Sequence, residues 1–119
     1  MQSAYDAFQE GNRLHSSENP HAAVIALERA RDLEPDKASV RETLARAYYR
    51  SGRFAQASEE FERAVEIEPV NDYAHFGLGL CLIRKGDELG ARRHLKLAVA
   101  MRPDQADYRA ALARVSEDA

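Results

Sequence analysis

Histidine and cysteine, side chains often used to hold a metal, move a proton or attack a substrate, are few in this chain, and their spacing argues against all three. The histidines are His15, His21, His75 and His94. A helix-borne metal site needs two ligands one turn apart, as in His-x-x-x-His, and neither that pair nor an acidic complement occurs. The histidines are therefore expected at solvated or helix-cap positions. Cys81 stands alone between Leu80 and Leu82, so no internal disulfide forms and the thiol reads as a small packed hydrophobe. Gly77-Leu78-Gly79 falls inside an apolar helical pattern, without the rest of a phosphate-binding loop. No Gly-x-Ser-x-Gly elbow or His-Glu-x-x-His is present. The acidic run Glu59, Glu60, Glu62, Glu66 and Glu68 is expected on the solvated face of one helix. The expectation is no catalytic residue, no metal, no cofactor and no enzyme.

What is left is a set of aromatic and arginine side chains, and helices must position them. From Ala38 to Pro69, Val40, Leu44, Ala47 and Tyr48 recur at helical spacing, then Ala57, Phe61, Ala64 and Val65 do so again. Gly52 supplies the backbone freedom of a helix end between them, and Pro69 stops the second helix. Two helices of about 14 residues are marginal alone in water, so neighbouring chain must cover their apolar faces.

The neighbours repeat the pattern. Pro35, Pro69 and Pro103 are 34 residues apart, as are Ala23, Ala57 and Ala91, and Ala30, Ala64 and Ala98. Leu27, Phe61 and Leu95 keep the step; so do the small residues Gly11, Ala45 and Gly79, the large ones Leu14, Tyr48 and Leu82, and the turn glycines Gly52 and Gly86. A fixed period carrying small and large residues in constant order indicates stacked helical hairpins.

On these residues the chain resembles the tetratricopeptide repeat (TPR) family. The resemblance implies an all-α solenoid of three helix-turn-helix hairpins and a seventh, capping helix, wound into a right-handed superhelix. Residues 1–119 form a single domain, with repeats at 4–37, 38–71 and 72–105 and the cap at 106–119. The chain departs from the family pattern at its fourth position, where Ala7, Arg41 and His75 replace a bulky apolar residue, and at Glu10. In the cap, Tyr108, Leu112 and Val115 are expected to pack on repeat three, with Arg109, Arg114, Glu117 and Asp118 in water.

The resemblance also implies where binding occurs. The first helix of each hairpin lines a concave wall, including Thr43 and Gly77. Its apolar and basic members here are Tyr5, Phe8, Arg46, Tyr49, Arg50, Tyr73, Phe76, Leu80, Ile83 and Arg84, and the polar Asn12 joins them. Aromatics and arginines gathered on one face are common anchors of protein interfaces, although Phe8 and Phe76 could equally pack between helices. The expected partner is a protein or peptide segment, apolar with an acidic group near the arginines. Family members that clamp the C-terminal carboxylate of heat-shock chaperones use five polar or basic residues. Of these only Asn12 is matched, the others being Phe8, Thr43, Tyr73 and Gly77, so that ligand is not expected. The groove is more similar to that of chaperone-like adaptors that hold client segments.

Composition is consistent with this reading. A chain of 119 residues, 45% hydrophobic and 31% charged, can bury a single core. A net charge of −3 gives no attraction to nucleic acid or anionic membranes. No apolar run approaches the roughly 18 residues that span a bilayer, and no signal core opens the chain, so a cytoplasmic protein is expected. Asn19, Asp36, Asn71, Asp87 and Asp104 are the expected helix caps, with Pro20 opening a helix. Repeat one carries seven acidic against four basic residues and repeat three four against six. Opposite-signed ends would favour head-to-tail association, which makes a self-assembling module, such as a homodimer, the alternative function.

Overall fold

The computed structural model describes residues 3–4, 7–8 and 19–116. Its helices are α1 (Pro20–Leu33), α2 (Ala38–Arg50), α3 (Phe54–Ile67), α4 (Asp72–Arg84), α5 (Glu88–Met101) and α6 (Ala106–Val115). Ala4, Ala7 and Phe8 are helical as well, as the expected first helix requires. Gly11, Leu14, Glu10, His15, Glu117 and Asp118 lie outside the described residues, as do Tyr5 and Asn12.

Helix ends follow local chemistry. Asn19 Oδ1 accepts from Ala22 N at 3.2 Å, with Pro20 in the first turn. The prolines set the stops: Glu34, Glu68 and Arg102 each precede one and adopt φ of −138°, −133° and −137°. Gly52 and Gly86 close α2 and α4 at φ +79° and +84°. Arg53 N then donates to Tyr48 O at 2.8 Å and Asp87 N to Leu82 O at 2.9 Å, which satisfies carbonyls the helix leaves open. Two expected caps are displaced. Lys37 and Gln105, not Asp36 and Asp104, occupy the cap positions of α2 and α6, and neither makes a side-chain cap bond. The 34-residue step from Asn71, which does cap α4, leads to Lys37 and Gln105; the aspartates are one residue out of register.

Each helix packs on its sequence neighbours, and α2, α4 and α6 touch in turn along one wall. Ala23, Ala57, Ala91, Ala30, Ala64 and Ala98 are all fully buried, at positions where each second helix packs on the helices beside it in sequence. Phe61, Leu27, Leu44 and Leu95 fill the spaces between. One apolar cluster runs from Ala23 in α1 to Cys81 in α4; another joins Ala91 and Leu95 to Ala111 and Val115 of α6. The capping helix buries Tyr108, Ala111 and Val115, half-buries Leu112 and leaves Arg114 exposed.

Candidate functional site

The wall of α2 and α4 brings several of the expected groove residues together. Tyr73 and Phe76 lie 6.1 Å apart, centroid to centroid, and the Arg46 guanidinium sits 5.7 Å from the Tyr73 ring. Burial raises the Tyr73 phenol above its ordinary range, with Arg46 opposing the shift. At the turn end of the wall, Tyr49 meets Phe54 edge-on at 5.0 Å. Arg84 lies 5.2 Å from the Phe54 ring and 5.8 Å from that of Tyr49, and its Nε donates to Tyr49 Oη at 3.3 Å. Tyr49, Tyr73, Phe76, Leu80 and Ile83 are half-buried, while Arg50 and Arg84 are exposed. An aromatic and aliphatic floor thus carries basic groups stacked on it.

Part of that floor is shared with the core. Phe76 stacks on Tyr108 of the capping helix at 4.6 Å, and Leu80 and Ile83 pack against the cluster containing Leu95 and Val115. Tyr108 is held by its own hydroxyl, which donates to Asp72 Oδ2 at 2.6 Å. Phe8 packs on Ala7, Ala30 and Val40, at the far end of the array from Phe76. A cavity of about 460 Å³ lies there, lined by Phe8, Ser39, Val40 and Lys37 among others.

Two wall positions are core instead. Gly77 is buried, and a Cβ there would lie 2.3 Å from the Phe61 ring, so the missing side chain makes room for that ring. Thr43 is buried and donates to Ser39 O at 2.8 Å. Gly77 thus faces Phe61 of α3, the second helix of the preceding hairpin.

Phe54 escapes the sequence reading because it belongs to a second helix, outside the wall pattern. The repeat prolines are bonded at the same period. Arg41 Nε donates to Pro35 O at 3.0 Å, Arg109 Nη1 to Pro103 O at 2.5 Å, and His75 Nε2 bonds Pro69 O at 2.9 Å. These residues are 34 apart and occupy the very position where the family pattern asks for a bulky apolar side chain. Each supplies a donor to the carbonyl of the proline that ends the preceding helix pair.

The polar residues beyond the groove also differ from expectation. Glu60 is only 6% exposed; its carboxylate takes Arg31 Nη1 at 2.7 Å and Arg41 Nη1 at 2.8 Å. It belongs to an ionic bridge and not to the solvated face that holds Glu59 and Glu62. His75 is buried and its Nδ1 lies 3.0 Å from Nδ1 of half-buried His94, so neither is a free surface histidine. Cys81 is fully buried, and burial pushes its thiol up to about 12, which fits the packed hydrophobe expected. Among the described residues no group of three or more potential ligands could hold a metal, and no helix is long and apolar enough to cross a membrane.

Residues 42–106 match a family model described as tetratricopeptide repeat. The chain belongs to the tetratricopeptide repeat family. A TPR repeat-containing thioredoxin, TTL4 of Arabidopsis thaliana, is 33% identical over 107 residues; these make up 90% of this chain and 16% of that protein. The chain thus spans less than a fifth of that relative. The first TPR domain of Spaghetti (RPAP3), bound to the HSP90 peptide SRMEEVD, superposes with a TM-score of 0.91 at 18% identity, covering 96% of this chain and 90% of that one. The Arabidopsis OM64 TPR domain gives 0.91 at 19% identity, over 95% and 93%. At such identities the likeness is one of fold.

Proposed function

We propose that this TPR domain is a non-enzymatic scaffold that holds a peptide or helical segment of a partner protein in its concave groove. The observation that carries the reading is the wall itself. Tyr49, Tyr73, Phe76, Leu80 and Ile83 keep part of their surface in water, and Arg46 and Arg84 stack on the rings instead of turning away. Such a surface gains by covering its apolar area and by giving its cations an acidic partner. Tyr5, Phe8, Asn12 and Arg50 extend the proposed site. That the RPAP3 domain is bound to an HSP90 peptide supports peptide capture as the use of this fold. The carboxylate of a chaperone tail is not the proposed ligand. At the clamp positions inferred from the family resemblance, Thr43 and Gly77 are buried and supply no charge. The proposed setting is the cytoplasm.

The test starts from partners captured from the source cells and mapped to a segment by overlapping peptides. Charge reversal of Arg46 and Arg50 together is expected to weaken an apolar, acid-bearing segment about tenfold or more. Unchanged affinity would remove the arginines from the site.

A second reading, self-association, rests on a basic and apolar patch. Exposed Leu89 adjoins Arg92, Arg93 and Lys96 on α5, while Asp32, Glu34 and Asp36 are exposed around the turn from α1 to α2. Head-to-tail pairing would appear in light scattering as a dimer that dissociates in salt; a monomer at high concentration rejects it.

A further inference from the structure

Among the basic residues of the wall, Arg84 is held in a way that suits an anion. Its Nε is engaged by the Tyr49 hydroxyl at 3.3 Å, and its plane lies over Phe54 at 5.2 Å. Two contacts from two different helices thus fix a side chain that is otherwise exposed and long. The usual entropic cost of ordering an arginine on binding is in part already met. The terminal amino groups are left for a partner, and they are the edge that receives a carboxylate end-on. Arg31, Arg41, Arg63 and Arg102 each pair with a carboxylate of this chain. Among the described residues no such pair is made by Arg84. Its charge is therefore uncompensated locally, beside two half-exposed aromatic rings.

From this geometry we infer that Arg84, oriented by Tyr49 and Phe54, is the carboxylate anchor of the groove. It binds the side chain of an Asp or Glu in a partner segment whose neighbouring apolar residue lies on the Tyr49–Phe54 edge. This rests on the groove reading above and adds to it a residue, a ligand group and an end of the groove. The acidic group sits at the turn end, where α2 passes into α3, and the apolar part of the segment runs from there along α4.

The probe is a phage-displayed library of random peptides about twelve residues long, panned against the wild-type domain, with the selected peptides then measured by fluorescence anisotropy. The expected consensus has Asp or Glu at a fixed distance from an aromatic or branched apolar residue. Arg84→Gln is expected to weaken the consensus peptide about tenfold or more, Arg84→Lys to recover only part, and Tyr49→Phe to cost a few-fold by freeing the guanidinium. Replacing the acid of the peptide by its amide must abolish the difference between wild type and Arg84→Gln. A consensus without an acid, or an amide peptide as sensitive to Arg84→Gln as the acid, overturns the anchor while leaving the groove. Failure to select any peptide that competes at Leu80 and Ile83 overturns the groove and the anchor together. If instead Arg84→Gln dissolves a dimer seen by light scattering, the occupant is a second copy of the chain and the inference is wrong. Arg84 is exposed, so an unchanged melting curve for Arg84→Gln is expected and separates binding from folding.

Discussion

In the second hairpin Arg41 of α2 and Glu60 of α3 meet at 2.8 Å; one 34-residue step later the same two places hold His75 and His94, with their Nδ1 atoms 3.0 Å apart. Both pairs bridge the two helices of a hairpin, and in both the first member also bonds the carbonyl of the preceding proline. The surroundings differ. Glu60 has a second cation, Arg31 from the hairpin before, whereas the place equivalent to Arg31 is Val65. Hairpin two is thus tied to its neighbour by permanent charges, and hairpin three is closed by two imidazoles in contact. One repeat position can accept unlike chemistry, provided every buried donor and acceptor finds a partner.

The largest expected effect comes from removing the centre of the ionic bridge. Glu60→Ala leaves two partly buried guanidinium groups without their carboxylate and should cost about 3–5 kcal/mol in urea unfolding. A change similar to that of an exposed pair, under about 1 kcal/mol, would mean that water already screens the bridge.

The entries to the two hairpins differ as well. Asn71 accepts from Ala74 N at 3.0 Å and donates to Glu42 at 2.7 Å, while Lys37 at the equivalent place makes no cap bond. Asn71→Ala should destabilise by about 1–2 kcal/mol, and Lys37→Ala by less than about 0.5 kcal/mol, in the same unfolding assay. Equal effects would erase the distinction between the two joints.

The smallest effect is one of pH. The Pro69 carbonyl only accepts, so His75 Nε2 carries a proton, and in the neutral pair His94 Nδ1 donates to His75 Nδ1. Burial lowers the His94 pKa below its ordinary value, His75 and Arg93 lower it further, and Asp87 opposes them. The unfolded chain therefore binds protons more readily. The contribution is complete above about pH 6.5 and is lost as pH falls through the folded value. Since His94 is half-exposed, the loss between pH 7.5 and 5.5 should be at most about 1 kcal/mol. Melting curves over that range should flatten in His94→Gln. An unaltered pH slope in that variant would place the titration elsewhere.

The helices, their turns and their order are legible in the residues alone. Those features are local: Gly52 and Gly86 are needed where the backbone turns left-handed, Pro35, Pro69 and Pro103 end helices through their own sterics, and alanine every 34 residues marks each close approach. The family followed from the same period. Which polar side chains are buried, and what they bond, depends on how the helices meet. Glu60 and Glu62 look alike in a helical pattern, yet one points at Arg31 and Arg41 and the other at water. Phe76, Leu80 and Ile83 read as groove floor, yet part of each is taken by the capping helix. Such assignments depend on distances between helices far apart in the chain, and periodicity within one helix carries no information about them.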